Sequence, residues 1–327
     1  MQAISVSDLK KTFKVKKQGT GFSGTLSSFF KPDWQDFDAL RGISFDIERG
    51  ERVAFIGPNG AGKSTTIKIL SGILQPTSGA VSIRGHVPWK AREKLAYDIG
   101  TVFGQRSQLW YHLPARDSFS LLASAYDVNE ATFKKRINRL TEAFDIGELL
   151  DKPVRQMSLG QRMRCEIVAS FIHNPKILFL DEPTVGLDVA AKSMIRNLVY
   201  ESSVQENTTV LLTSHDTGDM ERVCDRVILI DEGQIIIDGP VSELRSRYIS
   251  KKIVSFATKE ETIMLDITGV KTLETAAHKI VVEVNTDAQH VEHVIQKAME
   301  QSSLRDISVE DPPMEEVIQS IYNKKSP

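Results

Sequence analysis

Val53-Ala54-Phe55-Ile56-Gly57-Pro58-Asn59-Gly60-Ala61-Gly62-Lys63-Ser64 joins a continuous apolar run to a glycine-rich loop. A run that is apolar at every position suits a strand covered on both faces. Beyond it, Ile67, Leu70 and Leu74 fall on one stripe of a helix opening at Lys63. Strand, glycine loop and helix in this order read as a phosphate loop, the Walker A motif. Gly57, Gly60 and Gly62 let backbone N–H groups converge on phosphate oxygens without Cβ clashes. The helix N-terminus adds partial positive charge. Lys63 is expected to reach the β- and γ-phosphates and Ser64 to ligate Mg2+. Asn59 and Thr65 join the same phosphate-binding set, with Thr65 and Thr66 placed for the α-phosphate region.

A second apolar run, Ile177-Leu178-Phe179-Leu180, ends in Asp181-Glu182. Two carboxylates at the C-terminal end of a buried strand sit where doubly wound sheets bind ligands. Asp181 fits a Mg2+ carboxylate, bound directly or through water, and Glu182 fits the group that polarises an attacking water. Further strands are expected at 3–7, 43–47, 52–57, 208–213 and 226–230, with a turn at 76–79 and a hairpin at 231–234. Residues 115–173 carry helical spacing, as in Phe133, Ile137, Leu140 and Phe144. Alternating strands and helices predict a mostly parallel, doubly wound α/β sheet.

After Gly239-Pro240 the pattern changes. A helix at about 241–248 is followed by short strands at 253–257, 264–267, 280–284 and 305–309, with helices at 288–300 and 313–322. The expected domains are therefore 1–245, with a helical part at about 115–173, and a small α+β unit at 250–327.

Composition excludes several classes. A net charge of −2 over 327 residues argues against a broad nucleic-acid surface. No apolar run approaches the roughly 18 residues needed to span a bilayer, and no secretory leader is read at the N-terminus. Cys165 and Cys224 lack metal-like spacing and read as buried thiols in helical stretches. His290 and His293 read as solvent-facing.

Ser158-Leu159-Gly160-Gln161 precedes Leu180-Asp181-Glu182-Pro183, and Gly186-Leu187-Asp188 and His215 follow. In this order, over residues 1–245, the chain resembles the ATPase subunit of the ATP-binding cassette (ABC) family. The resemblance implies a P-loop (RecA-like) core with an antiparallel β subdomain, a helical signature subdomain and the C-terminal appendage. It implies ATP and Mg2+ as cofactors. Ser158, Gly160 and Gln161 would grip the γ-phosphate of ATP held by a second subunit, and Asp188 would lie in the D-loop that crosses the interface. His215 matches the switch histidine, and Phe13 the aromatic that stacks on adenine, or else a strand-end core residue. Gln105 is the expected glutamine switch and Mg2+ contact, with Gly104 as an insertion and Gln108 as the alternative. Met157 and Leu159 depart from the commoner Leu-Ser-Gly-Gly-Gln, which puts ATP affinity across the interface in question.

The single cassette and its appendage resemble the drug- and polysaccharide-export branch. That implies a homodimer or paired cassette, a separate multi-span permease, no nucleic-acid partner, and the cytoplasmic face of the inner or plasma membrane. A soluble ABC ATPase acting on a macromolecular assembly is the alternative function, and a regulatory module that binds ATP without turnover is a third. The excursion at 14–38 carries Leu26, Phe29, Phe30, Trp34 and Phe37 with helix-like spacing broken by Pro32, and Phe22 before them. It reads either as a loop folded onto its own domain or as an aromatic contact to a membrane partner.

Overall fold

The alternation at 43–47 belongs to a far longer strand. In the computed structural model, which describes residues 2–16, 34–104, 107–248, 250–261 and 263–325, β1 (Gln2–Lys16) and β2 (Trp34–Glu48) pair antiparallel. Their ladder runs out to Phe13↔Phe37, Lys14↔Asp36 and Lys16↔Trp34. Both ends of the 14–38 excursion are thus strand, not helix. Phe13 faces Phe37 and Lys14 faces Asp36 across the ladder, the kind of cross-strand pairing that favours strand where intrastrand spacing alone suggests helix. Phe22, Leu26, Phe29, Phe30 and Pro32 lie outside the described residues.

After β3 (Arg52–Ile56) and the helix Lys63–Leu70, the chain enters β4 (Ser78–Ile83), which adds to the free edge of β1. The sequence reads a turn at 76–79, yet Ser78 and Gly79 already belong to this strand. A Cβ on Gly79 would lie 2.3 Å from the Asp8 carbonyl oxygen, so only glycine permits the approach. The β2-β1-β4 sheet is the antiparallel β subdomain.

The main sheet adds β5 (Ile99–Phe103), β6 (Ile177–Asp181), β7 (Thr209–Ser214), β8 (Arg226–Asp231) and β9 (Gln234–Pro240) in the order β5-β6-β7-β3-β8-β9. The β5-β6-β7-β3-β8 pairs are parallel, and only β9 runs antiparallel, through the hairpin at Glu232-Gly233. Both hairpin residues have positive φ, +46° and +74°, as a two-residue turn with the matching twist requires. Helices Ala115–Ala125, Glu130–Ala143 and Leu159–Phe171 fill the block that the spacing marks as helical. Cys165 sits on the last of these, and burial pushes its thiol up to about 12. Cys224 is not helical; it is the extended residue after the helix Thr217–Val223.

The chain divides into two compact units, Met1–Val241 and Ser242–Pro327. The second holds β10 (Lys251–Thr258), β11 (Val270–Ala276), β12 (Lys279–Asn285) and β13 (Leu304–Glu310) in the antiparallel order β11-β12-β10-β13. Helices Val291–Gln301 and Met314–Lys325 accompany them. The strand expected at 264–267 is not one: Ile263 and Leu265 bury themselves in this unit's core from an irregular segment. The strand falls instead at β11, an edge strand exposed from Lys271 to Ala276. It carries no apolar alternation because most of it faces solvent.

Candidate functional site

Strand order builds the site. β7 lies between β6 and β3, with Asp181 opposite Thr213 and Ser214 opposite Ile56. The loop after β3, the carboxylates that end β6 and the histidine after β7 therefore meet at one edge of the sheet. This is the edge where open α/β sheets receive ligands.

Gly62, at φ +111°, caps the helix Lys63–Leu70. A Cβ there would meet the Ala39 carbonyl oxygen at 2.8 Å, and one on Gly57 would meet the Ile230 carbonyl oxygen at 2.3 Å. Close backbone contact, beyond loop flexibility, demands these glycines. Lys63 is buried, and its ammonium donates to the carbonyls of Gly57 at 2.7 Å and Pro58 at 3.1 Å. Burial lowers its pKa, while the neighbouring Glu182 and Asp181 act in the opposite direction. The Glu182 Oε1 atom lies 3.7 Å from the Lys63 ammonium.

Ser64 Oγ donates to Asp181 Oδ1 at 3.0 Å, and Thr213 Oγ1 donates to the same oxygen at 2.7 Å. Glu182 has φ +54°, a left-handed conformation that is costly for a residue with a side chain. Its N–H is held by the Thr213 carbonyl at 3.0 Å and by Thr213 Oγ1 at 3.2 Å. His215 Nδ1 stands 3.7 Å from Glu182 Oε1, with the ring half exposed. Lys63, Ser64, Asp181, Glu182 and His215 form one cluster. Thr213, next to last in β7, also belongs to it, and no motif in the sequence marks it.

Thr66 does not face a ligand. It is fully buried, and its hydroxyl donates to the Gly62 carbonyl within its own helix. Gln105 lies outside the described residues. Gln108 is engaged elsewhere: its Nε2 donates to the Glu166 carbonyl at 2.8 Å. Gly104 N–H donates to the Asp181 carbonyl at 2.9 Å. Phe13 is half-buried in mid-strand, not at a strand end, with the Lys11 ammonium 5.0 Å from its ring centre.

A second group forms around Ser158. Ser158 caps the helix Leu159–Phe171 in a reciprocal capping box, with Gln161 N–H to Ser158 Oγ at 3.2 Å and Ser158 N–H to Gln161 Oε1 at 3.1 Å. Lys152 Nζ also reaches Gln161 Oε1, at 3.1 Å. Asp188 caps the helix Val189–Glu206 by accepting from the Ala191 N–H at 2.8 Å. Ser158, Gly160, Gln161, Gly186 and Asp188 line one groove, and no phosphate-loop residue is among its walls.

A profile described as ABC transporter matches residues 40–185. The ABC transporter ATP-binding protein NatA of Bacillus subtilis is 31% identical over 206 residues, 63% of this chain and 83% of that protein. The daunorubicin resistance ATP-binding protein DrrA3 of Streptomyces coeruleorubidus is 30% identical over 289 residues, 86% of this chain and 90% of its own. The chain belongs to the ABC transporter family. Among solved structures, a dimeric ATP-binding cassette in a post-hydrolysis state with ADP and Pi superposes with a TM-score of 0.61 at 25% identity, covering 73% of this chain and 98% of that one. This cassette is the ATP-binding, ATP-hydrolysing subunit of an ABC transporter. Among its described residues no helix is long and apolar enough to cross a membrane.

Proposed function

We propose that two copies of this cassette close on two ATP molecules, each held by the phosphate loop of one copy and the Ser158 turn of the other. The separation of the two groups supports this reading. Lys63, Ser64, Asp181, Glu182 and His215 cluster at one sheet edge, while Ser158, Gly160 and Asp188 line a groove without phosphate-loop residues. Each half is a helix N-terminus or a charged cluster suited to phosphate.

An oxygen-only donor pair, the Ser64 hydroxyl and the Asp181 carboxylate at 3.0 Å, fits a hard divalent cation such as Mg2+. When bound, the ion offsets negative charge on the phosphoryl oxygens. Lys63 exchanges its carbonyl partners for phosphate oxygens. Glu182 orients a water for attack, and His215 holds the carboxylate and the γ-phosphate in line. Catalysis is then positioning plus charge stabilisation. Closure and reopening drive a separate multi-span permease at the cytoplasmic face of the membrane. The drug-resistance names of its relatives support export as the direction.

A mixed dimer tests the arrangement across the interface. Lys63→Ala on one copy and Ser158→Arg on the other concentrate both lesions in one composite site. One occluded ATP per dimer is expected. Equal damage at both sites sinks the paired-site reading.

A further inference from the structure

Asp219 is a fully buried carboxylate that the reading above does not use. Its Oδ2 accepts from Thr184 Oγ1 and from Ser214 Oγ, each at 2.6 Å, and its Oδ1 accepts from Arg196 Nε, also at 2.6 Å. The three donors come from three stretches that matter for hydrolysis. Thr184 stands two residues after Glu182, and Ser214 immediately precedes His215. Arg196 lies on the helix Val189–Glu206 that Asp188 caps.

The same helix is tied a second time to the residue after His215. Lys192 Nζ donates to Asp216 Oδ2 at 2.6 Å, and Arg196 Nη2 lies 2.8 Å from Asp216 Oδ1, out of line for a hydrogen bond. Gly218 makes room for this arrangement: a Cβ there would meet Arg196 Nη1 at 2.7 Å. A buried ion pair is weak support for stability, because an apolar replacement of similar shape often serves as well. Retaining one with three donors from separate segments argues for positional control.

We propose that Asp219 is a positioning residue for ATP hydrolysis, locking the Glu182 and His215 segments to each other and to the helix behind Asp188. The proposal rests on the assignment of Glu182 as the water-orienting group. Glu182 keeps its left-handed backbone only while its surroundings over-determine it. Thr213 holds it from the N-terminal side through the Glu182 N–H. Thr184 holds the following turn from the other side through Asp219. Movement of the Asp188 helix is thereby transmitted to both catalytic groups through Arg196.

Thr184→Val keeps the side-chain shape and removes one donor, and Ser214→Ala removes another. Turnover, ATP affinity and melting temperature are measured for each, with Thr184→Ser as the conservative control and with Thr184→Val repeated in a Glu182→Gln background. Both donor deletions should lower kcat about 10-fold, the scale of one hydrogen bond to a charged group. ATP affinity should stay within about twofold, and Thr184→Ser should retain most of the rate. Glu182→Gln alone should slow hydrolysis by roughly 10²–10⁴-fold. In that background, read by single turnover, Thr184→Val should add less than about twofold, since no carboxylate remains to be positioned. A kcat within about twofold of wild type for both deletions, or an undiminished loss in the Glu182→Gln background, overturns the positioning role. Near-normal turnover of Glu182→Gln itself defeats the catalytic assignment and the proposal built on it.

Discussion

At the scale of single residues, burial and contact decide chemistry that residue type leaves open. His173 illustrates this. Its ring stacks on Tyr126 with centroids 4.0 Å apart, and its Nε2 lies 3.1 Å from the Ile99 carbonyl. Burial holds its pKa down at about 4; Arg136 adds to the lowering, while the Ile99 contact and Asp98 oppose it. The unfolded chain takes up this proton near the ordinary value of about 6.5. Between those values the unfolded state binds more protons, so the contribution of neutral His173 to stability is present above about pH 6.5 and lost as pH falls toward 4. His173→Gln keeps an Nε2 donor and does not titrate. It should therefore lose less stability than wild type between pH 7 and pH 5 in urea unfolding. Parallel losses in the two proteins would contradict the prediction. Lys63, Ser64, Asp181, Glu182 and His215 were legible because each terminates or follows a recognisable apolar run. Thr213, Thr184 and Asp219 were not, since their importance lies in partners up to 35 positions away.

At the scale of elements, the β5–β6 pair shows how a glycine outside any recognised motif shapes the site. Gly104 follows β5, and its N–H bonds the Asp181 carbonyl. A Cβ placed on it would lie 2.6 Å from the Glu182 carbonyl oxygen. Gly104→Ala should push the Asp181-Glu182 turn away from Ser64, destabilising the cassette by about 1–3 kcal/mol and lowering the ATPase rate. Denaturant midpoints and turnover at saturating ATP check it, and unchanged values for both would show that the turn yields freely. Helices at 115–173 and in the C-terminal unit were legible, because amphipathic spacing is recorded within a few consecutive residues, whereas the helix Val189–Glu206 was not among those expected. Edge strands were the hardest. β4 and β11 lie beside β1 and β12 with little apolar pattern, and only the partner strand marks them as strands.

At the scale of the whole molecule, the extended β1–β2 ribbon is the least expected part. Trp34 and Phe37 are three positions apart on β2, hence on opposite faces, and both are about half exposed. Phe37 lies opposite Phe13, whereas Trp34 stands opposite Lys16. An exposed tryptophan at the start of such a ribbon is a natural anchor for a partner. On the proposed permease reading, Trp34→Ser should leave ATP binding and the melting temperature of the isolated cassette close to wild type. Co-purification with a multi-span membrane partner should fall. Undiminished co-purification removes Trp34 from the interface.

Sequence by itself determined the pieces whose signals are local: the phosphate loop after a buried strand, the carboxylates that end another, and the capped helix at Ser158. Each depends on a few adjacent residues, where glycine torsions, apolar runs and caps act directly on the backbone. Only the tertiary structure decided that β7 lies between β6 and β3, that Thr213 shares the Asp181 oxygen with Ser64, and that Asp219 gathers donors from three segments. Those outcomes depend on pairing between distant strands, which is selected by mutual burial and hydrogen bonding of the assembled layers, and no short stretch of the chain encodes them alone.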